Sequence, residues 1–359
     1  MRWRSVTPQE NREGSATVPH VCDAPAASNP AVSDALPRVS VVIPCYNQAH
    51  FLAEAIESVK AQTFRSVELL VVDDGSTDDI GTVLDAFPWV RSIRQENRGL
   101  AAARNTGIAH SRGEFLIFLD ADDRLLPDAV ETAARLLTSS PSLGFVAGHS
   151  RFITGDGVPL PTEQPVRGSG DPYLSLLRRN SIRNPAIVMF RRTVLDRVGG
   201  FDSRVDACAD YSMYLRITRD HPVRFHSAVV AEYRKHGHNM SNDAALMFRQ
   251  LRFVMREQRP HLRTRGRQEA FNEGCRNIRA YYGDRVATQI RERVRMRSGW
   301  LRTASDLATL VWGHPLGAVE HARRKVRCWW RGDQTSTAHP PDVATIDYST
   351  PDGPVGNRP

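Results

Sequence analysis

The sequence predicts an α/β fold in which a mainly parallel sheet carries helices on both faces. Two observations predict this fold class. Short apolar, β-branched runs alternate with amphipathic segments from residue 38 onward, and the runs end in polar clusters. Strands that alternate with helices imply right-handed crossovers between parallel neighbours.

Four runs in the first half of the chain are predicted strands. They lie at 39–43, 68–72, 90–94 and 114–119. Helices are predicted around 51–59, 80–87 and 100–109, and a further helix is predicted to begin near Pro127. Residues 150–185 are rich in Gly, Pro and polar residues, which predicts an inserted or flexible region. Regular structure is predicted again at 186–190, 194–195, 210–217 and 223–233, and the chain after Asn242 is predicted to be helical.

The positive charge of the chain is concentrated near its C-terminal end. The formal net charge is +8, and residues 261–333 hold 16 Arg and Lys against 7 Asp and Glu. The rest of the chain is close to neutral, which argues against nucleic-acid binding as the main function. Arginines near Trp329 and Trp330 suggest contact with an anionic membrane surface, and a helical bundle packed on the main domain is the alternative.

Cysteine usage and hydropathy favour a cytoplasmic protein. The five cysteines are scattered, odd in number and without a CxxC pair, so a zinc site or disulfide framework is not expected. The sequence lacks an apolar run of about 18 residues that would predict a membrane-spanning helix. Residues 1–36 lack the apolar segment of a signal peptide and are predicted to be a disordered tail.

Polar clusters follow three of the predicted strands: Pro44-Cys45-Tyr46-Asn47, Asp73-Asp74-Gly75-Ser76, and Asp120 to Asp123. Sites in parallel sheets form beyond the carboxyl ends of the strands, so the three clusters should converge. Crowded carboxylates at Asp120–Asp123 indicate a Mg²⁺ or Mn²⁺ site, because oxygen ligands suit these ions. A solvated turn with capping aspartates is the alternative. The second cluster could equally be a loop in which Thr77 or Asp78 caps the next helix.

Several segments, in this order, resemble family 2 glycosyltransferases of the GT-A fold. They are VVIPCYN (41–47), VDDGSTD (72–78), NRGLAAARNTG (97–107), FLDADD (118–123), GGFD (199–202), ADYSMYLR (209–216) and YRKHGHNMS (233–241). The fourth contains the DxD motif of the family, and the resemblance covers roughly residues 38–242. It implies a catalytic domain at 37–242, a basic helical extension at 243–333 and a second disordered tail at 334–359.

The resemblance also implies a nucleotide-sugar site. Pro44 and Tyr46 would pack around the nucleobase, Asp74 would hydrogen-bond it, and Asp120 would lie near the ribose or sugar. Arg104 would contact the donor, or would instead be a structural ion-pair partner. The donor would be a nucleotide-diphosphate sugar, with uridine as the expected nucleoside.

Metal binding and catalysis are assigned on the same basis. Asp122 would ligate Mg²⁺ or Mn²⁺, and His236 would approach the metal or the diphosphate unless it is a satisfied loop histidine. Asp210 would be the general base of an inverting transfer, although an aspartate that complements a helix dipole is the alternative. Many relatives have Glu-Asp where this chain has Ala209-Asp210.

The implied function is transfer of a sugar to a hydroxyl of a glycan or lipid-linked acceptor, as in polysaccharide or cell-envelope glycan synthesis. A peripheral position at the inner face of the membrane would suit a lipid-linked acceptor. Two other functions compete with this one. A non-catalytic binding protein would not need all its acidic residues, and a nucleotidyltransferase would need a Gly-rich basic loop after the first strand, where Pro44 to Asn47 stand instead.

Overall fold

The structure is a computed structural model that describes residues 38–164, 170–237, 239–296 and 300–313. Both predicted tails and the Trp329-Trp330 region lie outside the described residues. The strands are β1 (Val39–Cys45), β2 (Val67–Asp73), β3 (Arg91–Arg94), β4 (Phe115–Phe118), β5 (Arg124–Leu125), β6 (Phe145–Thr154), β7 (Pro159–Leu160), β8 (Val188–Arg191) and β9 (Val223–Lys235). The helices are α1 (Ala49–Lys60), α2 (Ile80–Asp85), α3 (Leu100–His110), α4 (Ala129–Ser139), α5 (Pro172–Arg178), α6 (Arg192–Val198), α7 (Ala209–Asp220), α8 (Ala244–Gln258), α9 (Arg265–Arg295) and α10 (Trp300–Gly313).

The described strands form one nine-stranded sheet in the order β3-β2-β1-β4-β8-β6-β9-β5, with β7 paired to β6. Strands β1 to β4 are mutually parallel, and β9 is parallel to β6. Strands β5, β7 and β8 run the opposite way to their neighbours. The predicted α/β class with a mainly parallel sheet is confirmed. The carboxyl ends of β1, β2 and β4 lie at one edge, as expected.

The central strands are buried on both faces, which explains their continuous apolar sequence. Val41, Val42 and Ile43 of β1 are fully buried. Helix α3 lies close against this strand, because a Cβ atom added at Gly107 would be 2.2 Å from Cγ1 of Val42. The glycine therefore sets the spacing between α3 and the sheet, and with it the position of Arg104 on the same helix.

The prediction of an inserted or flexible region at 150–185 is largely wrong. Strand β6 continues to Thr154, and α5 forms at Pro172–Arg178; residues 165–169 lie outside the described part. Asp171 caps α5 by accepting a hydrogen bond from the Tyr173 N–H at 2.8 Å. This signal, an aspartate followed by proline at the first helical position, was present in the sequence.

Helices α8 and α9 pack on the sheet-bearing part of the molecule and share its core. The Tyr173 hydroxyl of α5 donates to Gln258 Oε1 of α8 at 3.1 Å. A Cβ atom added at Gly274 of α9 would be 1.9 Å from the backbone oxygen of Leu177, so α9 and α5 are in close contact. This packing favours the helical-bundle alternative for the part of the basic extension that is described. Among the described residues, no helix is both long and apolar enough to cross a membrane.

Candidate active site

The loops after β1 and β2 are joined by hydrogen bonds into one unit. Asn47, whose φ of 53° lies in the left-handed region, donates its N–H to Ser76 Oγ at 3.0 Å. Its side-chain oxygen accepts from the Thr77 N–H at 2.8 Å. Asparagine tolerates this backbone conformation better than most residues. The first two polar clusters therefore meet, as the strand order predicted.

Neither residue predicted to cap α2 does so. Asp79, and not Thr77 or Asp78, accepts from the Thr82 N–H at 3.1 Å. Asp78 instead accepts from the N–H of Ala49, the first residue of α1, at 2.8 Å. Its carboxylate satisfies a free donor at the start of α1 across the loop, which a reading of the local sequence could not show.

The residues predicted to hold the nucleobase lie together at this edge. Pro44 is buried at the end of β1, whereas Tyr46 is 47% exposed. The buried Asp74 carboxylate accepts from Gln95 Nε2 at 2.6 Å and from the N–H groups of Arg98 and Gly99 at 3.0 and 2.9 Å. An ionised carboxylate has about four acceptor positions, so Asp74 orders the loop before α3 and retains capacity for one more donor.

Residues Asp120 to Asp123 form a turn, called the acidic turn below. The carboxylates of Asp120, Asp122 and Asp123 contact different partners. The turn is closed by the Asp123 N–H, which donates to the Asp120 backbone oxygen at 3.0 Å. Asp123 is fully buried and accepts from Asn184 Nδ2 and from the Arg234 N–H, both at 2.9 Å. Burial, together with Asp122 and Asp120, raises the pKa of Asp123 well above its usual range. Asp123, which had no predicted role, thus holds the turn in place.

Arg234 on β9 is a fully buried side chain that the sequence did not single out. Its Nε donates to the Asp122 backbone oxygen at 2.7 Å, and its Nη2 donates to Glu54 of α1 at 2.7 Å. The guanidinium also lies 4.7 Å from the centre of the Phe51 ring. Arg234 therefore joins the acidic turn to α1.

Asp122 and His236, the two predicted metal ligands, are in direct contact. His236 Nε2 lies 2.8 Å from Asp122 Oδ2. Asn239 supports the pair: its side-chain oxygen accepts from the His236 N–H at 2.7 Å, and its Nδ2 lies 3.4 Å from the same Asp122 oxygen. Burial and then Asp120 raise the pKa of Asp122, while His236 lowers it. The structure thus brings together two residues that are 114 positions apart.

The chemistry of this pair fits a divalent cation that also binds a diphosphate. In the described part of the chain, no group of three or more His, Cys, Asp or Glu side chains is arranged to hold a metal by itself. Mg²⁺ commonly uses only one or two carboxylates and completes its coordination with water and substrate phosphates. Asp120 and Asp122 are like charges close together in this turn, and a bound cation would offset their repulsion.

Arg104, Asp120 and Asp210 form a charged cluster beside this pair. Arg104 Nη2 donates to Asp120 Oδ1 at 2.7 Å, and the Arg104 side chain is only 3% exposed. Burial lowers the pKa of Arg104, but Asp120 and then Asp210 outweigh it and raise the pKa above its usual value. The predicted ion-pair role of Arg104 is therefore present, and the side chain also faces the predicted general base.

Asp210 stands in the first turn of α7 and is partly exposed. Burial raises its pKa, Arg104 opposes this effect, and Asp120 adds to it. The buried Tyr214 hydroxyl, one turn further along α7, has no hydrogen-bond partner in the described residues. Asp210 is accessible to a ligand and holds its proton more tightly than a free aspartate, which suits a group that accepts and releases protons.

The chain is similar in sequence to known glycosyltransferases. A sequence model described as glycosyl transferase family 2 matches residues 40–199. Chondroitin synthase from Escherichia coli is 31% identical over 214 residues, which are 57% of this chain and 30% of that protein. Glycosyltransferase GlyG from Streptococcus pneumoniae is 36% identical over 124 residues, which are 33% of this chain and 41% of that protein. The matched segments span less than half the length of either relative.

Two solved structures share the fold. The 1–349 fragment of S. aureus TarS in complex with UDP-GlcNAc aligns with a TM-score of 0.57 and 18% identity, over 80% of this chain and 92% of that one. The mannosyltransferase PcManGT from Pyrobaculum calidifontis, in complex with GDP-Man and Mn²⁺, aligns with a TM-score of 0.53 and 20% identity, over 82% and 84%. The fold of this chain is that of the GT-A transferases.

Proposed function

We propose that this chain, whose residues 40–199 match the sequence model of glycosyl transferase family 2, transfers a sugar from a nucleotide-diphosphate sugar to a hydroxyl acceptor. One observation carries the proposal. Asp122 and His236 form a contact pair beside the Arg104–Asp120–Asp210 cluster, at the strand edge where the Tyr46 and Asp74 loops also end. A donor diphosphate and an acceptor hydroxyl can meet there.

The donor is proposed to lie across the first two loops and the acidic turn. Tyr46 offers an exposed aromatic face for the nucleobase, and Asp74 keeps one acceptor position beside it. Asp120 is 26% exposed and is held by Arg104, so its second oxygen is available to the ribose or sugar. We propose a uridine nucleotide as the donor to test first; the solved relatives named above hold UDP-GlcNAc and GDP-Man.

Asp122 and His236 are proposed to hold Mn²⁺ or Mg²⁺. When bound, the ion would neutralise the negative charge that develops on the departing diphosphate. Asp122 and His236 supply two ligands, and Asn239 fixes the backbone that carries the histidine. The remaining positions are left to phosphate oxygens and water.

Asp210 is proposed as the general base of an inverting transfer. Its carboxylate would take the proton of the acceptor hydroxyl while that oxygen forms the new bond to the anomeric carbon and the bond to the diphosphate breaks. Arg104 opposes the rise in the pKa of Asp210 that burial causes. The neighbour Ala209 is fully buried and carries no charge, so Asp210 is the acidic residue at this position.

The acceptor is proposed to be a glycan or lipid-linked hydroxyl, and the protein is proposed to work in the cytoplasm, with peripheral contact at the inner membrane face. The excess of Arg and Lys over Asp and Glu in residues 261–333 supports contact with anionic lipids.

The proposal is tested by donor hydrolysis and transfer assays over a panel of nucleotide sugars with Mn²⁺ or Mg²⁺. Asp122→Ala should abolish metal-dependent turnover. Asp210→Asn should lower kcat by roughly 10²–10⁴-fold while donor binding is retained. Asp196→Asn, at an exposed position on α6, is the matched control and should keep wild-type turnover.

Two results would contradict the assignments. Full activity in a folded Asp122→Ala protein would remove the metal assignment, and unchanged turnover in Asp210→Asn would remove the base. Calorimetry with nucleoside diphosphates addresses the competing binding function. Tight binding without turnover over the whole donor and acceptor panel would favour a non-catalytic protein.

A further inference from the structure

A groove between α8 and α9 is lined by arginines from both helices. Its volume is about 310 Å³. Arg249, Arg252, Arg256 and Arg259 come from α8 and the turn that follows it, and Arg279 comes from α9. The four on the first side recur every three or four residues and so share one helical face. All five side chains are exposed, and no Asp or Glu of the described residues lines the groove.

The floor of the groove is apolar. Its lining residues are Phe253, Met255, Phe271, Cys275 and Ile278. Met255 and Phe271 are buried and belong to the main core, whereas the other three are partly exposed. The Arg256 guanidinium lies 5.1 Å from the centre of the Phe253 ring. The groove thus combines a cationic rim with an apolar floor. A helix face that is only solvated would not need an apolar floor beneath its charges.

Three of the five rim arginines have no acidic partner within the described ranges: Arg256, Arg259 and Arg279. Arg249 lies 3.9 Å from Asp306, which is at the limit of an ion pair. Burial, and then Arg279 and Arg256, lower the pKa of Arg252. Because the positive charges of these arginines repel one another, a bound anion would stabilise the packing of α8 against α9.

We propose that this groove binds the phosphate group of an amphiphile, with the phosphate on the arginines and the apolar chain along the floor. Guanidinium groups match phosphate oxygens through paired hydrogen bonds, so several arginines can share one phosphate. The apolar floor distinguishes this ligand from an inorganic anion, which would leave Phe253 and Ile278 exposed to water. A volume of about 310 Å³ accommodates a phosphate and a short alkyl segment.

Calorimetric titration of the full chain with hexyl phosphate and with inorganic phosphate tests the proposal. Hexyl phosphate should bind at least about tenfold more tightly, because its chain is removed from water. In the Arg256→Gln/Arg279→Gln variant, binding of hexyl phosphate should weaken by about tenfold for each arginine removed. Arg276→Gln, an exposed change of the same type on α9 outside the groove lining, should bind as wild type does.

The comparison of the two phosphates uses the wild-type protein and does not depend on how well a variant folds. Equal affinity for both phosphates, or unchanged affinity in the double variant, would overturn the proposal. Vesicles of phosphatidylcholine with and without phosphatidic acid identify the source of the ligand. Binding to the acidic vesicles that is lost in the double variant indicates a membrane lipid, whereas binding to hexyl phosphate alone indicates a soluble phosphorylated ligand. These measurements need no sugar donor, so their outcome is independent of the proposed transfer reaction.

Discussion

The coupling free energy between Arg104 and Asp120 should be larger than that of the surface ion pairs of this protein. Arg104 is 3% exposed and Asp120 is 26% exposed, so both charges lie largely in the protein interior. Removing one partner of such a pair costs about 3 kcal/mol, because the remaining charge loses its compensation. Arg104→Gln and Asp120→Asn should therefore each lower the free energy of unfolding by about this amount.

The double variant should be less destabilised than the sum of the single changes. With both charges of the pair removed, neither Arg104 nor Asp120 is left unpaired, so the coupling free energy should be about 2 kcal/mol. The loss of the Arg104 charge beside Asp210 is common to Arg104→Gln and the double variant, so it cancels in the cycle. Urea unfolding of the four proteins measures this. A second double-mutant cycle on Glu131 and Arg135, an exposed pair on α4 with a 3.1 Å contact, is the control. Its coupling free energy should be less than about 0.5 kcal/mol. Additive effects at Arg104 and Asp120, equal to those of the surface pair, would refute the reasoning.

Three further results are expected. The acid limb of the kcat/KM profile should lie above the ordinary aspartate range, because the proposed base Asp210 has a raised pKa and works only when deprotonated. Activity should therefore fall as the pH drops through that raised pKa. An acid limb at or below about pH 4 would contradict this assignment. Gly107→Ala should lower the free energy of unfolding by about 1–3 kcal/mol, since the added Cβ would collide with Val42. Gly81→Ala on α2 is the control: its nearest contact would be 3.8 Å, so it should be neutral or stabilising in the same urea titration. Asn239→Ala should raise the Mn²⁺ concentration needed for half-maximal turnover by about 10- to 100-fold, since Asn239 holds the backbone of the proposed ligand His236. An unchanged Mn²⁺ requirement would contradict this role of Asn239.

The sequence predicts most of the sheet because its central strands are buried on both faces. Strand β4 is wholly apolar and β1 is apolar apart from Ser40, so neither resembles a surface segment. Strand β6 was missed because its second half contains His149, Ser150 and Arg151, whose polar character resembles a loop. Those residues are paired with β9, which lies more than 70 positions later, and pairing at that distance leaves no local pattern.

Sequence also locates the candidate site but not its internal contacts. The strand-end rule brings Asp74 and the acidic turn to one edge, and the family resemblance adds Asp210 and His236. Neither source predicts that Asp123 is an internal anchor, because its partners Asn184 and Arg234 come from distant elements. Charge crowding suggested a shared role for the aspartates of the turn, whereas the structure gives each one a separate partner.

The short ladder between β5 and β9 has a consequence for building hybrid enzymes. Arg124 pairs with Glu232 and Leu125 with Ala231, so the residues just before β5 lie opposite those at the end of β9. The spacing between Asp122 and His236 is therefore set by strand register, and adding one residue to either strand would turn its side chains to the opposite face. A C-terminal segment transplanted from a relative would retain the contact between Asp122 and His236 only if β5 and β9 were exchanged together.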